Sequence, residues 1–180
     1  MKNVGNISYM FYIDDSKKLT DIKQYLTINM SNWDLSFVTN ANGLFYNRKD
    51  INSIIGPSLN DFKMKALKTA KYMFSNLTQL SKLDVSFITS EQLEEIESIF
   101  NGLSNGENNL ELTGYESWET EKVTNLSYVF ANTKISNINI FGWNTNNVNN
   151  FSNMFYGSNV HTITGLSSLI TSNNTSKAPI

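Results

Sequence analysis

The sequence predicts an α/β solenoid of about five to six turns, each a short parallel strand followed by a short helix. Three observations predict it. Large apolar residues recur at fixed offsets along most of the chain. One half of the repeating unit keeps a constant length while the other accepts insertions. The constant half carries apolar residues at helical spacing, and the segment before it alternates apolar and polar residues.

The repeat is set by five anchors, Trp33, Phe62, Ile88, Trp118 and Trp143. Five residues after each stands Val38, Leu67, Leu93, Val123 or Val148, and twelve after each stands Phe45, Phe74, Phe100, Phe130 or Phe155. Val4 precedes Phe11 by the same seven residues, so a sixth, partial copy opens the chain. From each Phe to the next anchor the interval varies: 22, 17, 14, 18 and 13 residues. A packed element beside loops has this signature.

The constant half reads as a short helix. Val148, Phe151, Met154 and Phe155 form one apolar stripe, and Val38, Ala41, Leu44 and Phe45 repeat it, as do Leu93, Ile96, Ile99, Phe100 and Val123, Leu126, Val129, Phe130. Ser90, Thr120 and Thr145 stand where an N-cap hydroxyl would. Two residues past the Phe come Asn47, Asn76, Gly102, Asn132 and Gly157, types that tolerate the left-handed conformation closing a helix, while Ile13 after Phe11 breaks the rule, so the first copy is expected to end differently. The strand signal is the alternation in Ile28–Ser31, Leu83–Ser86 and Ile138–Phe141. Before Trp118, both 110–112 and 113–115 fit a strand. Before Phe62, Pro57 is tolerated only at a strand start or edge. A unit of this kind buries its apolar face only by stacking. Residues 1–166 therefore form one domain, followed by a polar tail at 167–180.

Composition narrows the function. The formal charge is −2, with 14 Lys+Arg against 16 Asp+Glu, which argues against nucleic acid as a partner. No cysteine and a single histidine, His161, exclude thiolate chemistry, disulfides and any site needing two imidazoles. No apolar run is long enough for a membrane span, and no signal peptide is visible. The 27 Asn residues and 13 Lys against one Arg match an AT-rich genome, and the seven Asn-x-Ser/Thr matches follow from the abundance of Asn.

The copies resemble the BspA-like leucine-rich-repeat family and the related mycoplasma and lactobacillus surface repeat. The residues that carry the resemblance are Ile28-Asn29-Met30-Ser31-Asn32-Trp33-Asp34-Leu35-Ser36-Phe37-Val38-Thr39, Trp143–Val148, Asn153–Gly157, Leu83–Ser86 and Val4–Phe11. It covers roughly residues 4 to 166. The resemblance implies a leucine-rich-repeat-like solenoid and a bacterial cell-surface or secreted protein, often an adhesin. It carries no catalytic residues. The copy at 62–74 departs from the pattern by its lysines, and no sorting or lipid-anchor signal is written in the chain.

Candidate chemistry is weighed against packing. Phe62 and Ile88 share the register of the three Trp, so these are core rather than sugar platforms. Lys63, Lys65, Lys68 and Lys71 face Glu91, Glu94, Glu95 and Glu97 of the next copy, which suggests neighbour pairing. Asp14, Asp15, Asp84, Glu111 and Glu116 lie on no calcium-shaped loop. His161, in a terminal strand at 160–164, has no partner pattern with Ser167 or Ser168. No catalytic residue, metal or cofactor is expected. The expected binding residues form two columns on the open strand face: Asn29, Ser58, Asp84 and Asn139, beside Ser31, Asn60, Ser86 and Phe141.

The sequence thus favours a non-catalytic binding module of a bacterial surface protein, engaging a protein or glycan on a host or neighbouring cell. The alternative is a structural spacer in a longer repeat protein. The chain opens within a half-repeat and closes after a strand. That predicts a piece of a longer array or modest caps at 1–25 and 160–180, with self-association through exposed sheet edges open to it.

Overall fold

The computed structural model describes residues 3–14, 24–106 and 108–169; Asp15 and the polar stretch at 171–177 lie outside the described residues. The strands are β1 (Leu26–Asn29), β2 (Ile51–Ile55), β3 (Lys82–Asp84), β4 (Glu111–Thr113), β5 (Asn137–Asn139) and β6 (Thr162–Thr164). They pair in parallel as three separate two-stranded sheets: β1 with β2, β3 with β4, β5 with β6. Two short 3-10 helices, η1 (Asn60–Phe62) and η2 (Leu166–Leu169), complete the regular structure among the described residues.

Two expectations fail here. Among the described residues there is no α-helix, and the strands form no continuous sheet. The α/β class and the leucine-rich-repeat-like solenoid of strand plus helix are overturned. The cause lies in the backbone. Each copy but the first holds two residues at positive φ, four positions apart, and the first holds one. One is two before the Phe: Tyr9 (54°), Gly43 (58°), Tyr72 (58°), Ser98 (56°), Tyr128 (58°) and Asn153 (56°). The other is two after it: Asn47, Asn76, Gly102, Asn132 and Gly157. A right-handed helix has no place for the first of these.

The constant half is instead a run of overlapping turns. The Leu44 amide donates to the Ala41 carbonyl (3.2 Å), Tyr46 to Gly43 (3.0 Å), and Arg48 to Phe45 (3.2 Å). Positive φ at the third residue of the first and last turn is the type II requirement. Steps of three residues bring Val38, Ala41 and Leu44 to one side, which is why a helical stripe fits the sequence. Those residues, their counterparts in the three middle copies and Phe45, Phe74, Phe100 and Phe130 are buried, whereas Val4 and Phe151 of the end copies are half-buried and Met10 is exposed.

Each set of turns is one rung of a ladder. Single-residue parallel bridges join Asn6, Asn40, Thr69, Glu95, Asn125 and Asn150 in succession. Beside them the Phe rings stack from Phe11 through Phe45, Phe74, Phe100 and Phe130 to Phe155, with centroids 5.6 to 6.0 Å apart. Trp118 and Trp143 stack at 6.3 Å and are buried; Trp33 is half-buried against Phe11. Each ring removes a large apolar area from water, and the offset stacks add to that.

The strand side is broken in two places, between β2 and β3 and between β4 and β5. At the first gap the Phe87 ring lies over Gly56, where an added Cβ would come 2.5 Å from it. Pro57 lacks an amide to donate across the gap. Where strands do pair, backbones close tightly. A Cβ on Gly114 would lie 2.3 Å from the Ser86 nitrogen, and one on Gly165 2.3 Å from the Phe141 Cα. Leu169 of η2 is buried in the core.

Candidate binding face

Inward strand residues Ile28, Ile54, Leu83, Leu112 and Ile138 are buried, so the alternate positions form an outer face. Asn29, Asp84 and Asn139 occupy equivalent, exposed strand ends. Each closes the same local turn. The Ser31 amide donates to Asn29 Oδ1 (3.0 Å), the Ser86 amide to Asp84 Oδ1 (2.9 Å), and the Phe141 amide to Asn139 Oδ1 (3.1 Å). Asn6, Asn40, Asn125 and Asn150 do likewise on the turn side. Side-chain oxygens that mimic a backbone turn explain why Asn is useful at these offsets, a role that codon bias alone does not reveal. One side-chain oxygen of each column residue thus accepts within its own turn.

The register separates the remaining expected residues. Asn29 pairs with Ile55, so Ile55 and not Ser58 continues that column in β2. Ser58 follows the strand, its amide donating to the Ser31 carbonyl (3.0 Å), and Asn60 begins η1. Pro57, read as a possible strand residue, lies past the end of β2. Phe141 is 75% exposed at the far end of the face.

Asp84 and Ser86 are the two expected residues that a cavity brings together. The gap between β2 and β3 opens as a groove of about 350 Å³. Ser53, Lys82, Asp84 and Ser86 supply polar groups, and Ile54, Ile55, Pro57 and Phe87 an apolar wall. Lys82 Nζ lies 2.9 Å from Glu111 Oε1. That hydrogen bond holds the Lys82 ammonium above the ordinary lysine range. A second groove, about 410 Å³, follows the gap between β4 and β5 and is lined by Ser81, Glu111, Ser136 and Asn137 among others. Both grooves escape sequence reasoning because they arise from missing strand pairs. Pro57 is the one visible hint.

Elsewhere the charged candidates disperse. Lys71 pairs with Glu95 of the next copy at 3.2 Å, and Lys65 with Asp61 at 3.1 Å. Glu116 accepts from the Gly114 amide (2.7 Å), and His161 is exposed. Thr120 Oγ1 donates to the Asn144 carbonyl (3.1 Å) and accepts from its amide (2.8 Å), which joins two copies rather than capping a helix. Ser90 keeps its expected local role, accepting from the Gln92 amide at 3.0 Å. Among the described residues no helix is long and apolar enough to cross a membrane.

A chain built from such rungs is a repeat protein whose copies stack through turns and aromatic rings. The profile of one family, described as Mycoplasma protein of unknown function, DUF285, matches residues 1–115 and again residues 78–178. The chain belongs to that family, and a double, overlapping match is what an internally repeated sequence produces. No curated protein and no solved structure matches the chain.

Proposed function

We propose that this chain is a non-catalytic binding module of a bacterial surface protein, engaging a protein or glycan of a host or neighbouring cell through its strand face. One observation carries the reading: the groove between β2 and β3 sets Lys82, Asp84, Ser53 and Ser86 around an apolar wall. An apolar surface with a few convergent polar groups is the usual composition of a ligand site. The resemblance to BspA-like surface repeats supports the cellular setting.

The test is binding of the 180-residue chain to panels of matrix proteins and glycans, with a Lys82→Gln/Asp84→Asn variant. Asn at 84 keeps the oxygen that accepts from Ser86, so the turn survives while both charges go. A loss of about tenfold or more in affinity, with an unchanged unfolding midpoint, is expected. Silence across the panels, or binding indifferent to the variant, overturns the reading.

A further inference from the structure

We propose that the chain stacks head to tail with a second copy of itself, the turn edge at 151–157 docking on the turn edge at 6–12. The argument begins inside one chain. At the start of each rung amides donate back to the copy before, as Thr39 and Asn40 do to the Gly5 carbonyl, but across the turns that follow the donation runs forward. Leu126, Tyr128, Phe130 and Asn132 amides donate to the carbonyls of Asn150, Ser152, Met154 and Tyr156, at 2.8, 3.1, 2.9 and 2.7 Å. The first rung does the same, with Ile7, Tyr9 and Phe11 donating to Asn40, Asn42 and Leu44.

The two ends are therefore unlike and complementary. In the last rung the amides of Phe151, Asn153, Phe155 and Gly157 stand where those donors stand and meet no acceptor among the described residues. In the first rung the carbonyls of Asn6, Ser8 and Met10 stand where the acceptors stand and receive no donor among the described residues. A row of unpaired donors and a row of unpaired acceptors in the same register is a template for pairing.

The sequences of the end rungs sharpen this. Residues 6–12 read Asn-Ile-Ser-Tyr-Met-Phe-Tyr, and residues 150–156 read Asn-Phe-Ser-Asn-Met-Phe-Tyr. The first rung thus offers an incoming copy nearly the surface that the last rung offers Phe130. Phe155 lies 5.8 Å from Phe130 with ring planes 2° apart, and it is half-buried. Its outer side would meet Phe11 of the second copy. Tyr156, 65% exposed, would meet Tyr12 as Tyr12 meets Tyr46 at 5.4 Å. The contact is heterologous and leaves both outer ends open, so it extends into rods.

Ser8 and Ser152 would be neighbours across the junction. The same column carries Lys71 and Glu97 within the chain, so charge there is compatible with the fold. Sedimentation of the full chain over a wide dilution series should show association that grows with concentration. The double variant Ser8→Lys/Ser152→Lys should weaken it at least about tenfold, and Ser8→Lys/Ser152→Glu should restore it. Should either double variant fold poorly, mixtures of single variants answer the same question: Ser8→Lys with Ser152→Glu chains should assemble into longer rods than Ser8→Lys with Ser152→Lys chains, which keep only the unaltered Ser152–Ser8 junction. A chain that stays monomeric at every concentration overturns the proposal, as does association insensitive to these charges.

Discussion

The turn side and the strand side of this molecule are built from the same copies and end up unlike. On the turn side six rungs follow one another without a break, and six Phe rings stack. On the strand side the ladder splits into three pairs with grooves between them. The difference follows length. Where the unit is constant, hydrogen bonds and rings repeat at each step. Where it varies, from 13 to 22 residues, strands are not always presented in register. Order on one side tolerates interruption on the other, and the interruptions are where a ligand would enter.

The comparison can be broken most severely at the rings. Phe100 is fully buried between Phe74 and Phe130, whereas Phe155 ends the stack. Phe100→Ala should cost about 3–5 kcal/mol of unfolding free energy in urea titration, and Phe155→Ala distinctly less. Equal costs would mean that the stack does not act as one core.

The next largest effect lies where strands close and where they do not. Gly114 has φ of 92° and faces the Ser86 backbone, which cannot yield. Gly114→Ala should destabilise by roughly 1–3 kcal/mol. Gly56→Ala meets the Phe87 side chain rather than backbone, from Cδ1 at 2.5 Å down to Cβ at 3.2 Å, with no positive φ to strain, and should cost less. Thermal unfolding of the two variants checks the order.

A finer contrast concerns two stacked indoles. Trp143 Nε1 donates to the Tyr115 carbonyl (2.9 Å), whereas Trp118 Nε1 is buried without a partner. Both changes to Phe lose ring area, but Trp143→Phe also removes the shorter of two hydrogen bonds to the Tyr115 carbonyl, which keeps the Trp118 amide at 3.2 Å. It should exceed Trp118→Phe by about 1 kcal/mol, read from paired denaturation curves.

The smallest effect is at Arg48 and Asp50, on the approach to β2. The hydrogen bond from Arg48 holds the Asp50 carboxyl below its ordinary value, and burial only partly opposes this. A lowered folded-state value stabilises the fold above the unfolded value of 3.8 and is lost as pH falls through the folded one. Asp50→Asn should therefore reduce stability at neutral pH and flatten its acid dependence below about 4.

Much of the core was legible. The offsets from anchor to Val/Leu to Phe name residues that are buried except for the half-buried Trp33, Phe62 and Phe155, and the residues two past Phe45, Phe74, Phe100, Phe130 and Phe155 do take positive φ. The helix was not real because a three-residue turn step and a 3.6-residue helical step cannot be told apart over eight residues. Gly43 and Asn153, two before their Phe, were the available warning, obscured by Tyr9, Tyr72 and Tyr128 at the same position. On the strand face, exposure of Asn29, Asp84 and Asn139 was readable from alternation. The place of Ser58 was not, because Pro57 hid where β2 ends, and neither groove leaves a local pattern.

The forward hydrogen bonding of the turns has an electrical consequence. In an ordinary sheet successive peptide dipoles alternate and nearly cancel. Here the peptides joining Asn6 to Ile7, Ser8 to Tyr9 and Met10 to Phe11, and their counterparts in each rung, send their amides toward the C-terminal end. The amides of Thr39, Asn40, Lys68, Thr69, Glu94, Glu95 and Asn149 point back the other way and offset part of this, so what stays unbalanced is the row of donors at residues 151–157 and the row of acceptors at residues 6–10.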